Sequence, residues 1–321
     1  MSSSKKKTTL QRISTILKFV VTFSGLAYLF NKIPISNVLE NWQKETCPWM
    51  AFILLLTTIL MAIQANRWRG LLLNDGKKIK FRTFYSYIAL GYFFNNLLPS
   101  GFGGDAVKTI AFGKRFGNTA NSVAAIIISR VMGLLAMFLS FFIAIPFVIS
   151  KYNIPLPYTI TVSIVTLLAV LIIFAGLFSD KIKIPYKLSQ KIPFLLKLQQ
   201  AFAIYRKHPK AFWKSGIDSI ILQVVTIIIH YAYFKAVGIN IDLATITVFT
   251  TIMVTFTMLP ISINGIGIRE NIQVSLYSGL LGVEADIVLA SSLLGYIPLL
   301  FQASQGAIVF LALKNNKKSE T

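Results

Sequence analysis

The segment SVAAIIISRVMGLLAMFLSFFIAIPFVI, residues Ser122–Ile149, decides the class of this protein. A helix needs about 20 mostly apolar residues to cross a bilayer, and this segment is longer and holds one charged residue, Arg130. The whole chain of 321 residues is 55% hydrophobic and 13% charged, whereas globular domains have about 25% charged residues. We therefore predict an all-α integral membrane protein whose residues 1–321 form a single transmembrane domain.

Six segments are apolar enough to be full membrane spans, and together they predict a polytopic helix bundle. They are Ile13–Phe30, Trp49–Ala65, Ser122–Ile149, Tyr158–Phe178, Ser215–Val237 and Ala285–Leu313. The first follows a basic start, but no small-residue cleavage site comes after Phe30, so we expect a retained anchor and not a cleaved signal peptide.

Basic residues predict the orientation of these spans. They concentrate at the N-terminus (1–12), in the loop Asn66–Arg82, which includes Arg67, in the long loop 179–214 and in the tail 314–321. Cytoplasmic loops are the ones enriched in Lys and Arg. We expect a protein of the cell inner membrane with both termini in the cytoplasm. The same asymmetry explains the net charge of +21, which in a soluble protein would suggest nucleic acid; we expect no nucleic-acid partner here.

Two regions cannot be simple spans. Phe84–Phe112 is interrupted by LLPSGFGGDAVK at Leu97–Lys108, and Leu243–Gly282 is interrupted by MLPISINGIGIRE at Met258–Glu270. Proline and clustered glycine end helices, and irregular backbone at membrane depth survives only where protein covers it or a wet cavity meets it. We predict two re-entrant or broken helical hairpins; the alternative is two short tilted spans in each region.

The two broken regions resemble each other. Leu98-Pro99 and Leu259-Pro260 lie 161 residues apart, and a long apolar segment follows each. The predicted orientation has the first hairpin entering from inside and the second from outside. We therefore predict an inverted repeat of residues 84–149 and 243–313, an arrangement common in secondary transporters.

The broken segments also hold the candidate binding residues. Glycine lets backbone approach a ligand closely, and a half-helix that begins there presents unpaired N–H groups to phosphate or carboxylate; the alternative is that these glycines only form turns. Charged residues inside apolar stretches usually face a wet interior. The predicted substrate-binding residues are Gly101, Gly103, Gly104, Asp105, Lys108, Arg130, Asn264, Gly265, Gly267, Arg269 and Glu270, with Pro99 and Pro260 as structural breaks.

Alternatives stay open for the charged residues. Arg130 lies about 13 Å into its helix at 1.5 Å per residue, so it either binds an anionic ligand or forms an internal salt bridge with Asp105 or Glu270. Arg269 and Glu270 either belong to the site or pair on the outer surface. Nearby polar residues either line a cavity or bridge helices; they include Asn95, Asn96, Ser100, Ser262, Asn264, Asn271, Tyr296, Gln302 and Gln305.

Enzyme chemistry has little support in the sequence. One cysteine, Cys47, and two histidines argue against disulfides and multi-ligand metal centres, so we expect no metal and no cofactor. His230 is more typical of a packing residue than of a proton relay. No G-x-S-x-G, H-E-x-x-H or Walker A motif is present, and we expect no catalytic residue.

The two broken motifs identify a family resemblance. LPSGFGGDAVK, then Ser-Arg130-Val-Met-Gly, and later LP-x-S-x-N-G-I-G-I-R-E resemble the transmembrane region of lysylphosphatidylglycerol synthases, from about Leu10 to Leu313. The family pattern maps onto Pro99, Gly101, Gly104, Asp105, Arg130, Pro260, Gly265, Gly267, Arg269 and Glu270. The resemblance implies a flippase for aminoacylated phosphatidylglycerol. Full-length synthases carry an aminoacyl-transferase domain after this region, and this chain ends eight residues after Leu313, so we expect a stand-alone member.

The sequence thus favours a lipid flippase that moves an anionic or modified phospholipid between leaflets. The expected partners are membrane phospholipids with an anionic headgroup and a headgroup-modifying enzyme encoded separately. Two alternatives remain: a non-transporting subunit of a lipid-modifying enzyme, and an integral-membrane transferase with Asp105 or Glu270 as base. The lipid, the direction, the energy source and the oligomeric state do not follow from the sequence.

Overall fold

The computed structural model describes residues 2–98, 103–117, 119–178, 181, 193–258 and 261–318, and it has no strand in those ranges. The helices are α1 Ser2–Lys32, α2 Ile35–Glu40, α3 Thr46–Leu71, α4 Leu73–Lys78, α5 Phe81–Leu97, α6 Gly103–Phe116, α7 Thr119–Ile149, α8 Leu156–Leu177, α9 Pro193–Lys207, α10 Pro209–Ala236, α11 Leu243–Thr257, α12 Ile268–Gln273, α13 Ala285–Leu294 and α14 Tyr296–Lys318. A π-helical turn, Val274–Ser278, and a helical turn, Gly279–Leu281, continue α12. The predicted all-α fold is confirmed.

Five helices in the described residues are long and apolar enough to cross a membrane. They are Thr46–Leu71, Thr119–Ile149, Leu156–Gly176, Pro209–Ala236 and the nearly continuous segment Ala285–Leu313, which joins α13 to most of α14. These coincide with five of the six predicted spans and confirm a polytopic membrane protein. The sixth predicted span lies within α1, so the total number of spans stays a prediction.

The outer surface of the bundle is apolar. On α8, Ile164, Leu167 and Leu171 each expose more than half of their surface. Exposing apolar area to water costs about 25 cal/mol per Å², so such a face fits contact with lipid chains. Apolar α1 residues such as Phe19 and Phe23 are exposed in the same way.

Both broken regions form helical pairs. Helix α5 has 17 residues and α6 has 14, so at 1.5 Å per residue they are about 25 and 21 Å long. Helix α11, with 15 residues, is about 22 Å long. A bilayer core is about 30 Å thick, so these lengths fit re-entrant arms. The inverted relation of the two pairs stays a prediction, and Pro99, Ser100, Gly101 and Pro260 lie outside the described residues.

Close helix contacts fix the first pair within the bundle. A Cβ built on Gly104 of α6 would overlap the carbonyl oxygen of Gly91 on α5, so the two arms touch backbone to backbone. Helix α14 approaches the other side of α5 as closely, because a Cβ on Gly306 would overlap the carbonyl oxygen of Ala89. Small residues permit such contacts between membrane helices.

Helix α11 begins with a side-chain cap. The Asp242 carboxylate accepts hydrogen bonds from the Thr245 amide at 3.0 Å and from the Thr245 hydroxyl at 2.8 Å, as N-cap residues commonly do. Partial burial acts to raise the pKa of Asp242, but these bonds outweigh it and hold the pKa below its usual value.

The basic region 179–214 is described at residue 181 and from Pro193 onward. There α9 packs against α7 and α8. The Tyr205 hydroxyl donates to the Leu71 carbonyl at 2.7 Å, and Phe202 lies against Gly176 of α8. The described part of this region is therefore attached to the ends of the membrane helices; its cytoplasmic location stays a prediction.

Candidate functional site

A cavity of about 630 Å³ lies between the two broken regions, within the range of about 300–1,000 Å³ typical of ligand sites. Residues of α1, α3, α5, α6, α7, α11 and α14 surround it, together with the turn that follows α11. The polar and charged lining residues are Lys18, Gln64, Arg67, Tyr92, Asn95, Asn96, Asp105, Lys108, Ser129, Arg130, Thr257, Ser262, Asn264 and Gln302.

Asp105 is the acidic centre of this cavity. It sits in the first turn of α6, where the helix dipole favours a negative charge. Its Oδ1 contacts the Lys108 Nζ at 2.6 Å, and its Oδ2 accepts from the Arg130 Nε at 2.6 Å. Asp105 and Lys108 are each 7% exposed. One buried carboxylate thus pairs with two cations. Of the two salt-bridge partners considered for Arg130, the structure shows Asp105 and not Glu270.

Arg130 differs from its partners in exposure. Half of its side-chain surface remains accessible, compared with 9% for the Asp105 side chain. Arg130 also lines the cavity, so part of its side chain borders the space where a ligand would lie. A guanidinium group can bind phosphate or carboxylate through two parallel hydrogen bonds. The geometry therefore fits both sequence-based interpretations of Arg130 at once.

Arg67 is a lining residue that the sequence analysis placed in a cytoplasmic loop. Helix α3 instead continues to Leu71 and carries Arg67 in its last turns. The Arg67 Nη1 donates to the Ser219 hydroxyl on α10 at 2.7 Å. A spacing of three or four residues places Gln64, Arg67 and Trp68 on one helical face, and all three line the cavity. That register was the available signal in the sequence.

The second break reaches the cavity through its turn. Asn264 has φ 52° and Gly265 has φ 77°, values in the left-handed region that glycine and asparagine adopt most readily. The Asn264 side chain donates to the Asn95 carbonyl of α5 at 2.8 Å. Since Asn95 ends the first arm of the other pair, this bond connects the two broken regions directly.

The remaining predicted residues form a separate buried cluster. Glu270 is fully buried; its Oε2 accepts from the Gly267 amide at 2.7 Å, and its Oε1 accepts from Arg269 at 3.0 Å and from the Tyr296 hydroxyl at 2.9 Å. Arg269 also lies over the Tyr296 ring at 4.5 Å. None of these residues is part of the cavity lining. Arg269 and Glu270 are thus an internal pair, and the surface alternative is wrong.

The first amide groups of the half-helices have protein acceptors. The Gly104 amide donates to the Asn95 Oδ1 at 2.8 Å, and the Gly267 amide donates to Glu270. Glycine at 267 is required by its φ of 82° and by the nearby Thr22 carbonyl of α1. These two amides therefore stabilise the breaks and are not available to a ligand. Gly103 begins α6.

Other polar residues divide between cavity and packing. Gln302 lines the cavity, whereas Gln305 accepts from the Tyr85 hydroxyl at 2.7 Å. His230 contacts the Thr226 carbonyl at 2.9 Å and the edge of Tyr233, as expected for a packing residue. In the described part of the chain no three His, Cys, Asp or Glu side chains lie together as metal ligands.

The model of the family described as "Lysylphosphatidylglycerol synthase TM region" matches residues 15–299, a range that includes both breaks and every cavity-lining residue except Gln302. A search of curated proteins finds no match. The chain therefore belongs to the lysylphosphatidylglycerol synthase transmembrane-region family, which suggests a lipid-related membrane domain of the flippase type.

Proposed function

We propose that this protein moves an anionic or modified phospholipid, or another lipid-linked molecule, between the leaflets of the cell inner membrane. The observation that carries this proposal is the charge of the cavity. Lys18, Arg67, Lys108 and Arg130 line it together with a single carboxylate, Asp105. Four cations against one carboxylate leave an excess of three positive charges, which favours an anionic ligand.

The cavity would lower the barrier that a headgroup meets. A charged side chain at the centre of a bilayer costs about 2.5–3.5 kcal/mol on insertion scales, and a lipid headgroup faces a barrier of the same physical kind. A polar cavity between broken helices replaces part of the lost hydration. We expect the accessible surface of Arg130 to bind the headgroup while the acyl chains stay among the apolar faces of the outer helices.

When no ligand is bound, Asp105 would keep the side chains of Lys108 and Arg130 in place. Its two oxygens contact Lys108 and Arg130, so the carboxylate compensates for the repulsion between them. Arriving phosphate would compete with Asp105 for the guanidinium of Arg130. No residue has a catalytic role in this proposal, which is compatible with a family that corresponds to the membrane part of the synthases. A separately encoded enzyme would supply the modified headgroup.

Lipid translocation in proteoliposomes tests the proposal. Fluorescent anionic, zwitterionic and aminoacylated lipids are reconstituted with the wild type, with Arg130→Ala or with Arg82→Gln, and an impermeant reductant reports the leaflet of each lipid. Arg82 is exposed at the start of α5 and outside the cavity lining, so it is a matched control.

We expect fast translocation in the wild type and in Arg82→Gln, and translocation slowed at least tenfold in Arg130→Ala, since losing one charge-assisted hydrogen bond costs about 1.5–3 kcal/mol. Equal rates in all three proteins would refute the role of Arg130. No translocation of any lipid by folded wild type would contradict the flippase and favour a non-transporting subunit. A changed headgroup in extracted lipids would instead support a transferase.

A further inference from the structure

The charged residues around the cavity bear on how much negative charge the ligand carries, if the protein binds an anionic ligand as proposed above. Beyond the lining residues, one further carboxylate, Asp218 of α10, is close enough to interact electrostatically with Arg67. It also faces Lys214. Even if Asp218 is counted wholly against Arg67, four cations and two carboxylates leave an excess of two positive charges. A ligand with one negative charge would leave part of that excess uncompensated.

Two of the cations occupy one wall of the cavity. The Arg67 Nη1 lies 3.7 Å from the position of a Cβ on Gly133 of α7, and Gly133 is three residues after Arg130 on that helix. Residues three apart share a helical face. The Arg67 guanidinium, from α3, therefore lies beside the face of α7 that carries Arg130, and the two cations are close enough to repel each other. Like charges repel strongly where water is scarce, so this pair favours a shared anion between them.

Arg67 has a donor that the protein does not use. Its Nη1 is bonded to Ser219, but its Nε is buried and has no hydrogen-bond partner among the described residues. The Asp218 Oδ2 is also buried without a partner there, so the two side chains are neighbours that do not pair. A buried charged donor without an acceptor is costly, so the charge of Arg67 favours an anion nearby. The Nε itself is buried, so an anion in the cavity would interact with the part of the Arg67 side chain that lines the cavity.

We propose that the ligand is a phosphate group with two negative charges, a phosphomonoester or a diphosphate, bound jointly by Arg67 and Arg130. A phosphomonoester carries about −1.5 to −2 at pH 7, and guanidinium forks bind such groups through paired hydrogen bonds. A phosphodiester such as phosphatidylglycerol has one charge on that group and is the poorer match. The group can belong to a lipid or to a soluble phosphate.

Equilibrium binding to the full chain in nanodiscs of zwitterionic lipid tests the inference. The probes are fluorescent phosphatidic acid and phosphatidylglycerol with identical acyl chains, at about pH 8, above the second phosphate pKa of about 6. We expect phosphatidic acid to bind about tenfold more tightly, which corresponds to about 1.4 kcal/mol. This preference should fall as the pH drops below about 6, because the monoester then loses its second charge.

Three variants assign the preference to residues. Arg67→Gln should reduce it to less than about twofold, and Arg82→Gln should leave it unchanged. Asp218→Asn removes a negative charge beside Arg67 and should keep or increase the preference for phosphatidic acid. A loss in Arg67→Gln without a loss in Asp218→Asn therefore follows the charge, whereas misfolding caused by disturbing this part of the bundle would lower the preference in both variants.

Each outcome supports or overturns the inference. Equal binding of the two lipids by folded protein, or an Arg67→Gln variant with the full preference, overturns it, while the flippase proposal stands on its own translocation assay. Inorganic phosphate and pyrophosphate serve as competitors to identify the source of the phosphate group. If either binds as tightly as phosphatidic acid, the two-charge site is supported and a lipid ligand is contradicted.

Discussion

Replacing Asp105 with asparagine tests the charge arrangement most severely. The carboxylate contacts Lys108 at 2.6 Å and Arg130 at 2.6 Å. In Asp105→Asn both cations lose their counter-ion, but the consequences differ because the Lys108 side chain is 9% exposed and the Arg130 side chain is 50% exposed. Most of the destabilisation should therefore come from Lys108.

The magnitude follows from that burial. Removing one partner of a buried ion pair costs about 3–5 kcal/mol, because the remaining charge stays desolvated. At about 2.1 cal/mol/K per residue, a chain of 321 residues has an unfolding entropy of about 670 cal/mol/K, so 1 kcal/mol lowers Tm by about 1.5 °C. We therefore expect Asp105→Asn to lower the Tm of the purified protein by roughly 4–7 °C.

The assay is thermal unfolding of detergent-purified protein, with a double variant as the decisive comparison. Asp105→Asn/Lys108→Met removes the buried cation together with its partner, and replacing both members of a buried pair by well-packed groups is often close to neutral. It should unfold at a higher temperature than Asp105→Asn alone. Glu284→Gln, an exposed carboxylate, should change stability by less than about 0.5 kcal/mol. An Asp105→Asn protein that unfolds at the wild-type temperature would refute the reasoning.

Three further predictions concern the breaks and the orientation. Gly104→Ala places a methyl group against the Gly91 carbonyl and should cost about 1–3 kcal/mol; unchanged unfolding would mean that the arms are not in contact. Glu270→Gln leaves Arg269 without its counter-ion and should cost about 3–5 kcal/mol in the same assay, and a loss below about 1 kcal/mol would contradict the burial of this pair. Cys47, the single cysteine, is exposed in the first turn of α3. With the N-terminus inside and the first predicted span at Ile13–Phe30, this end of α3 lies outside, so an impermeant maleimide should label Cys47 in spheroplasts; labelling only after lysis would reverse the predicted orientation.

Hydropathy and helix breakers predicted most of this fold. Five predicted spans coincide with long apolar helices, and helices end at Leu97 and Thr257 beside the two predicted breaks. These features depend on local composition, which a sequence displays directly. The pairing of Asp105 with Arg130 could be anticipated because isolated charges in apolar segments need partners.

The sequence identified Asp105, Lys108 and Arg130 as site residues, but it did not assign Arg67 to the same cavity. Arg67 stands beside other basic residues at the end of a span, where positive charge usually only sets orientation; its place in the site depends on how α3 packs against α7 and α10. The unsettled choice for Arg269 and Glu270 has the same cause, since burial of the pair requires the approach of Tyr296 from α14. Likewise, only the folded chain places Asn95 where it accepts from the Gly104 amide.

The most direct test of the central claim is to map where a lipid headgroup contacts the protein. A phospholipid with a photoactivatable headgroup is incorporated into nanodiscs with the wild type or with Arg130→Ala, and crosslinked residues are identified by mass spectrometry. The account predicts crosslinks at lining residues such as Trp68, Ser129 and Met137, and their loss in Arg130→Ala. Crosslinks confined to the outer face of α8, at residues such as Leu167, would contradict a headgroup path through the cavity.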